Sequence, residues 1–191
     1  MSEHLRWYTK AMYSMDHVVR LVPADAWGNP SPCEGWTARH VLGHVIAVQR
    51  YTLAGLRGEQ YDRSLLFECT DRSAGNDPAA AWAEIRDTML ETLDQPGVLE
   101  QKVPSSSGET TVDERIGFNI ADTTIHSWDL ARAAGVDDRL DPGLVARITT
   151  MIAPRIESMR GPMLFDPAVD LDGAADAQAR LLALCGRDPS K

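Results

Sequence analysis

The sequence predicts an all-α protein, a four-helix bundle with additional helices on its C-terminal side. Three observations support this. Apolar residues recur at helical spacing through several long segments, and those segments open and close on recognisable cap residues. No alternating strand pattern longer than a few residues interrupts them, and there is no internal repeat.

Leu5, Tyr8, Met12, Met15, Val19 and Val22 are spaced 3-4-3-4-3, the seam of a first helix over residues 3–22. Pro23 and Gly28-Asn29-Pro30-Ser31-Pro32 then force an irregular link. Thr37 is a good N-cap for a second helix that runs to about Arg57 and stops at Gly58. Residues 59–76 keep no sustained period, contain Gly75-Asn76, and read as a loop. Asp77 caps a third helix with Pro78 at its first position; Trp82, Ile85, Met89 and Leu93 continue it until Pro96-Gly97. Residues 97–110, with Pro104 and the tract Ser105-Ser106-Ser107-Gly108, read as a flexible connection. Thr111 and Glu114 form a capping box that opens a fourth helix, which runs to about Ala134 and stops at Gly135. Asp141-Pro142 opens a fifth helix with Leu144, Ile148 and Ile152 on one face, kinked or ended by Pro154. A last helix, roughly 173–185, carries Leu181, Leu182 and Leu184 and closes at Gly186.

The 191 residues, 43% hydrophobic and 25% charged, suit one well-packed domain spanning 1–191. The net charge of −9, with no run of Lys or Arg, argues against a nucleic-acid partner, which needs a basic stripe to displace counterions. The opening MSEHLRWYTK is too polar for a signal peptide, and no apolar run approaches the ~18 residues of a membrane span. Cys33, Cys69 and Cys185 are too few and too scattered for a disulfide framework or a cysteine-rich zinc site. The expectation is a reducing, cytoplasmic protein, monomeric or homodimeric, acting on small molecules.

On the fourth helix Arg115, Phe118, Asp122, His126 and Asp129 fall within one narrow sector, and four of the five are ionisable. Such a sector is either a solvated outer face or a built site, because an unpaired buried charge is too costly for a plain core. Asp122 and His126 stand four residues apart, and His44 lies among Val41, Val45 and Val48 on the second helix. A lone histidine on an apolar face is usually a core residue. Joined to a carboxylate and imidazole on a facing helix, it completes three ligands for a divalent metal with a fourth position open, the arrangement of a catalytic zinc.

His40, at the third helical position after Thr37, reads as a capping residue and a reserve ligand. His4 and His17 read as ordinary surface or seam residues. Asp129, one turn past His126, is a candidate to orient an imidazole. Arg115 either meets a carboxylate on substrate or cofactor or pairs with a nearby acid. Tyr51 lines a pocket or belongs to the core. Cys33 reads as structural rather than nucleophilic, since no histidine with a fixed orienting partner is evident beside it. Cys69, in a polar loop, and Cys185, at a helix end, take no role.

Two stretches carry a family resemblance. PSPCEGWTARHVLGHV resembles the second-helix signature of the DinB/YfiT-like metal-binding superfamily, within it the mycothiol-dependent maleylpyruvate isomerase N-terminal-domain group. IADTTIHSWDLARAAG resembles that group's other hallmark, an acid four residues before a histidine followed by Trp-Asp-Leu-Ala. The tail DAQARLLALCGRDP resembles the ending of a single-domain branch of metal-binding proteins. The likeness covers nearly the whole chain, with 59–110 contributing little.

The resemblance implies a bundle holding one divalent metal, usually zinc, and carries the ligand positions onto His44, Asp122 and His126. It implies chemistry with a low-molecular-weight thiol such as mycothiol, transferase- or isomerase-like. The alternatives are a hydrolase that activates water on the same metal, or a metal-binding bundle without turnover. The chain departs from the group in carrying Asp122 where glutamate is typical, and in having no room for the isomerase's second, C-terminal domain.

Overall fold

The computed structural model describes residues 1–190 except Cys69, Ser106, Ser107, Pro162, Met163, Asp172 and Ala174, and only the backbone of Pro104 and Ser105. The reading of Cys69 as a loop residue therefore lies outside the described residues, as does part of the 105–108 tract. Among the described residues seven α-helices follow in chain order: α1 Glu3–Leu21, α2 Ala38–Arg57, α3 Thr70–Ser73, α4 Pro78–Leu93, α5 Val112–Ala134, α6 Pro142–Ile152 and α7 Ala177–Leu184. The all-α bundle is present, with α1, α2, α4 and α5 as its long members.

Local chemistry sets the boundaries. Ser2 caps α1 by accepting from Leu5 N–H. Thr37 and His40 form a reciprocal capping box at the start of α2, and Thr111 and Glu114 form another at the start of α5. Both helices end on a left-handed glycine, Gly58 at φ 66° and Gly135 at φ 68°. Asp77 and Asp141 cap α4 and α6 ahead of a proline at the helix start.

Three segments differ from the sequence expectation. Residues 59–76 contain a short 3-10 turn, Arg63–Leu66, and the four-residue α3. Residues 97–110 are not simply a flexible connection: β1 Lys102–Ser105 pairs antiparallel with β2 Gly108–Thr111, Lys102 opposite Thr111. Strands this short leave no alternation to read. The last helix begins at Ala177, not 173, because Asp176 is its cap and accepts from Ala179 N–H.

α5 packs against both α1 and α2, and α2 also packs on α4. Between them Tyr8, Met12, Leu42, Ile46, Trp82, Met89 and Ile120 are buried in one core. A polar chain crosses this core from α1 through α2 to α5. Tyr8 Oη donates to Gln49 Oε1 at 2.7 Å, Gln49 Nε2 to Thr123 Oγ1 at 3.2 Å, and Asn119 Nδ2 to Thr52 Oγ1 at 3.1 Å. Groups that satisfy one another only in this register oppose sliding of α2 against α5. Among the described residues no helix is long and apolar enough to cross a membrane.

Candidate metal centre

His44 is buried on α2, and its surroundings fix its ring. Nδ1 lies 2.5 Å from the Leu66 carbonyl oxygen, which can only accept, so Nδ1 carries a proton and the neutral ring has its lone pair on Nε2. The neighbouring Gly43 makes this possible. A Cβ there would collide with the Thr70 carbonyl, so only glycine lets the backbone at Thr70 approach α2 this closely. His44 Nε2 points at Asp122 Oδ1, 3.2 Å away on α5.

One turn along α5, His126 Nε2 lies 3.7 Å from the same oxygen. Its Nδ1 lies 2.8 Å from Asp129 Oδ2, so this ring too commits its proton away from Asp122. The ligand atoms of His44, Asp122 and His126 all fall within 4.8 Å of one another, a group that could hold a metal ion. Asp122 Oδ2 is buried with no hydrogen-bond partner. Trp36 covers the site, its ring centroid 5.1 Å from His44 and 6.0 Å from His126, and Phe67 packs 5.8 Å from His44.

The electrostatics favour charge on both His44 and Asp122, an imidazolium–carboxylate pairing that a bound cation would replace. Burial works against charge on His44, but the Asp122 carboxylate and the Leu66 carbonyl outweigh it and hold its pKa above the ordinary histidine value. Burial likewise works against the Asp122 anion, yet His44, then His126 and Arg187, bring its pKa below the usual carboxylate range. Two imidazole lone pairs and a carboxylate oxygen converge, and none can donate to another while the rings are neutral. That donor set fits a divalent cation: imidazole and carboxylate are ordinary zinc ligands, and the orphaned Oδ2 lacks a partner a cation could supply.

The residues singled out in the sequence fall into two groups. His44, Asp122, His126 and Asp129 come together; Asp129 is fully buried and holds the His126 ring. Arg115 and Tyr51 are not part of that group: the Arg115 guanidinium lies 5.1 Å from the Tyr51 ring, and the Tyr61 ring packs against Tyr51 at 5.9 Å. The α5 sector thus grades along its length: Phe118 is 46% exposed, Asp122 26% in its side chain, His126 and Asp129 buried. His40 is the cap it was expected to be, its Nδ1 accepting from Thr37 N–H at 3.3 Å. His4 closes on Asp113 at 2.8 Å, tying the start of α1 to that of α5.

Cys33 sits closer to the site than a remote structural residue would. Its Sγ–H donates to Asp129 Oδ2 at 3.3 Å and lies 4.0 Å from His126 Nδ1. Burial and the Asp129 charge push its pKa far above the usual thiol value, so it is no activated nucleophile. Cys185 is a buried core residue whose thiol is pushed up to about 12 by burial. Trp36 and Arg187 lie within the stretches that carry the family resemblance, but no role could be read for either from spacing. Arg187 Nη2 donates to Asp129 Oδ2 at 3.1 Å from the chain's far end, and only the fold brings it there.

A family model described as the mycothiol maleylpyruvate isomerase N-terminal domain matches residues 8–131, which include α2 and almost all of α5. The chain belongs to this family. The matched span includes positions 44, 122 and 126. An uncharacterized protein of Mycobacterium tuberculosis strain H37Rv, Rv0738, is 30% identical over 146 residues, covering 74% of this chain and 73% of its own length. Another from the same strain, Rv0036c, is 31% identical over 80 residues, 41% of this chain and 31% of that protein. A crystal structure of the mycothiol-dependent maleylpyruvate isomerase superposes with a TM-score of 0.56 at 18% identity, covering 78% of this chain and 68% of that one. A mutant of the same isomerase gives 0.58, again at 18% identity, over 83% and 72%. At that identity the likeness is one of fold, consistent with a DinB-like bundle.

Proposed function

We propose that this member of the mycothiol maleylpyruvate isomerase N-terminal domain family is a zinc-dependent enzyme with His44, Asp122 and His126 as metal ligands. It uses a low-molecular-weight thiol such as mycothiol in a transferase- or isomerase-like reaction. One observation carries the metal reading: His44 Nε2, His126 Nε2 and Asp122 Oδ1 converge as acceptors while both rings spend their protons on Leu66 and Asp129. Family membership supports the thiol.

A divalent zinc held by His44, Asp122 and His126 would supply positive charge that lowers the pKa of a cofactor thiol. This chain's residues do the rest. Leu66 and Asp129 hold both rings with Nε2 inward, and Trp36 and Phe67 keep bulk water from one side of the pair. Arg115, about 10 Å up α5 from Asp122, with its guanidinium against the Tyr51 ring, would meet a carboxylate of substrate or cofactor or pair with a nearby acid. Phe118, exposed on the turn between them, gives the electrophile an apolar surface.

Calorimetric titration of mycothiol into metal-loaded and metal-stripped protein, in buffers of different ionisation enthalpy, tests this reading. Binding to the loaded protein should release protons and binding to the stripped protein should not. Equal affinity with no metal-dependent proton release would rule out coordination of the thiol.

A further inference from the structure

His126 has a second cluster on its other nitrogen. Cys33 Sγ, His126 Nδ1 and Asp129 Oδ2 also lie within 4.8 Å of one another, a sulfur–nitrogen–oxygen set that could hold a metal ion on its own. The place among these donors is taken by a guanidinium. Arg187 Nη2 lies 3.1 Å from Asp129 Oδ2 and 3.6 Å from Cys33 Sγ, and Nε lies 3.4 Å from Asp129 Oδ1. The side chain is 11% exposed. Its fork is braced by a third contact, Nη1 donating to the Cys185 carbonyl at 3.1 Å. The chain reaches this position through Gly186, at φ 82°, where a Cβ would collide with Asp166.

We propose that Arg187 is the positioning residue of the metal centre: it acts as a built-in cation that keeps Asp129 and Cys33 from binding metal and directs the metal to the Nε2 face of His126. The inference rests on the metal reading above. A guanidinium is permanently charged and gives up no proton, so it neutralises Asp129 without competing for the His126 proton. Asp129 can then accept from His126 Nδ1 and from the Cys33 thiol together, leaving Nε2 with its lone pair facing Asp122. Without Arg187, a thiol, a carboxylate and an imidazole nitrogen would share a pocket lacking a cation, and a thiophilic metal would recruit all three.

Cobalt(II) titration of the metal-stripped full chain, followed by absorption and stoichiometry, tests this. Wild type should bind one equivalent with no thiolate-to-cobalt charge-transfer band, and Cys33→Ser should leave that spectrum unchanged. In Arg187→Gln the band should appear, and it should vanish again in Arg187→Gln/Cys33→Ser. Arg187→Lys, which keeps the charge, should suppress it. The inference is overturned if folded Arg187→Gln reproduces the wild-type spectrum and stoichiometry, or if wild type already shows a band that Cys33→Ser removes. Should Arg187→Gln fail to fold, Arg187→Lys and Cys33→Ser decide by the same criteria: a band in Arg187→Lys, or a changed spectrum in Cys33→Ser, overturns it. Should wild type bind no cobalt, the metal reading fails. The inference, which rests on that site, then falls with it, whereas a wild type that binds cobalt and an unchanged Arg187→Gln spectrum would overturn the inference alone.

Discussion

The two ring nitrogens of His126 face two clusters with similar donors and opposite electrostatic solutions. On the Nδ1 side, Asp129 and Cys33 share the guanidinium of Arg187, and every donor has a partner. On the Nε2 side, the ion-pair partners of Asp122 among the described residues are the two imidazoles, and its Oδ2 has no partner at all. A fold that can place an arginine against one buried carboxylate has left its neighbour without one. The difference is that the Nε2 cluster is partly open, at 26% exposure of Asp122, whereas Asp129 is sealed. A sealed carboxylate needs its cation from the chain, while an open one can take it from solution.

His126→Ala breaks both clusters and should have the largest effect. Metal affinity should fall by more than the roughly 10–100-fold typical of losing an outer hydrogen-bond partner, as isothermal titration with zinc would show. Asp129→Asn tests the sealed side alone. It should lower metal affinity within about 10–100-fold and, by leaving Arg187 buried without its anion, cost about 3–5 kcal/mol in denaturant unfolding. An unchanged unfolding midpoint would mean that the Asp129–Arg187 pair is not the buried contact described here.

Smaller effects mark where the clusters end. His40, four residues from His44 on the same helix, bonds Thr37 instead of the site. His40→Ala should leave metal content unchanged and cost at most about 1 kcal/mol through the weakened cap; loss of metal would make it a ligand. The exposed Asp137–Arg139 pair gives the weakest effect and a useful contrast with Asp129–Arg187. Hydrogen bonds from Arg139 bring Asp137 down to about 2. A depressed carboxylate contributes stability that is present above its unfolded value of about 3.9 and is lost as pH falls through the folded value. Arg139→Gln should therefore lower the thermal midpoint slightly at all pH values above the unfolded one, the difference vanishing as pH falls through about 2, and by far less than Asp129→Asn changes it at neutral pH, because solvent screens an exposed pair.

Much of this was legible in the sequence because it depends on local spacing. The seam from Leu5 to Val22 marks α1, Thr37 and Gly58 bound α2, and Thr111 and Gly135 bound α5. The pairing of Asp122 with His126, and Asp129 one turn on, follows from helix periodicity alone. His44 could be joined to them because a histidine inside an apolar run on a facing helix needs a partner. Contacts that depend on the path of the chain were not legible. Arg187 meets Asp129 across 58 positions, through a left-handed turn after α7 that has no periodicity to reveal it. Trp36 and Cys33 lie in the irregular lead into α2, where spacing fixes no direction. The hairpin at 102–111 is closed by backbone pairing rather than by side-chain pattern.

The central claim is that the Nε2 cluster holds a divalent cation. The most direct test is the metal content of purified, zinc-equilibrated wild type beside Asp122→Asn, which keeps the shape of the side chain and removes the anionic ligand. Wild type should hold one metal per chain with high occupancy, and Asp122→Asn should lose most of it while remaining folded. Metal-free wild type after equilibration, or full occupancy in Asp122→Asn, would contradict the claim.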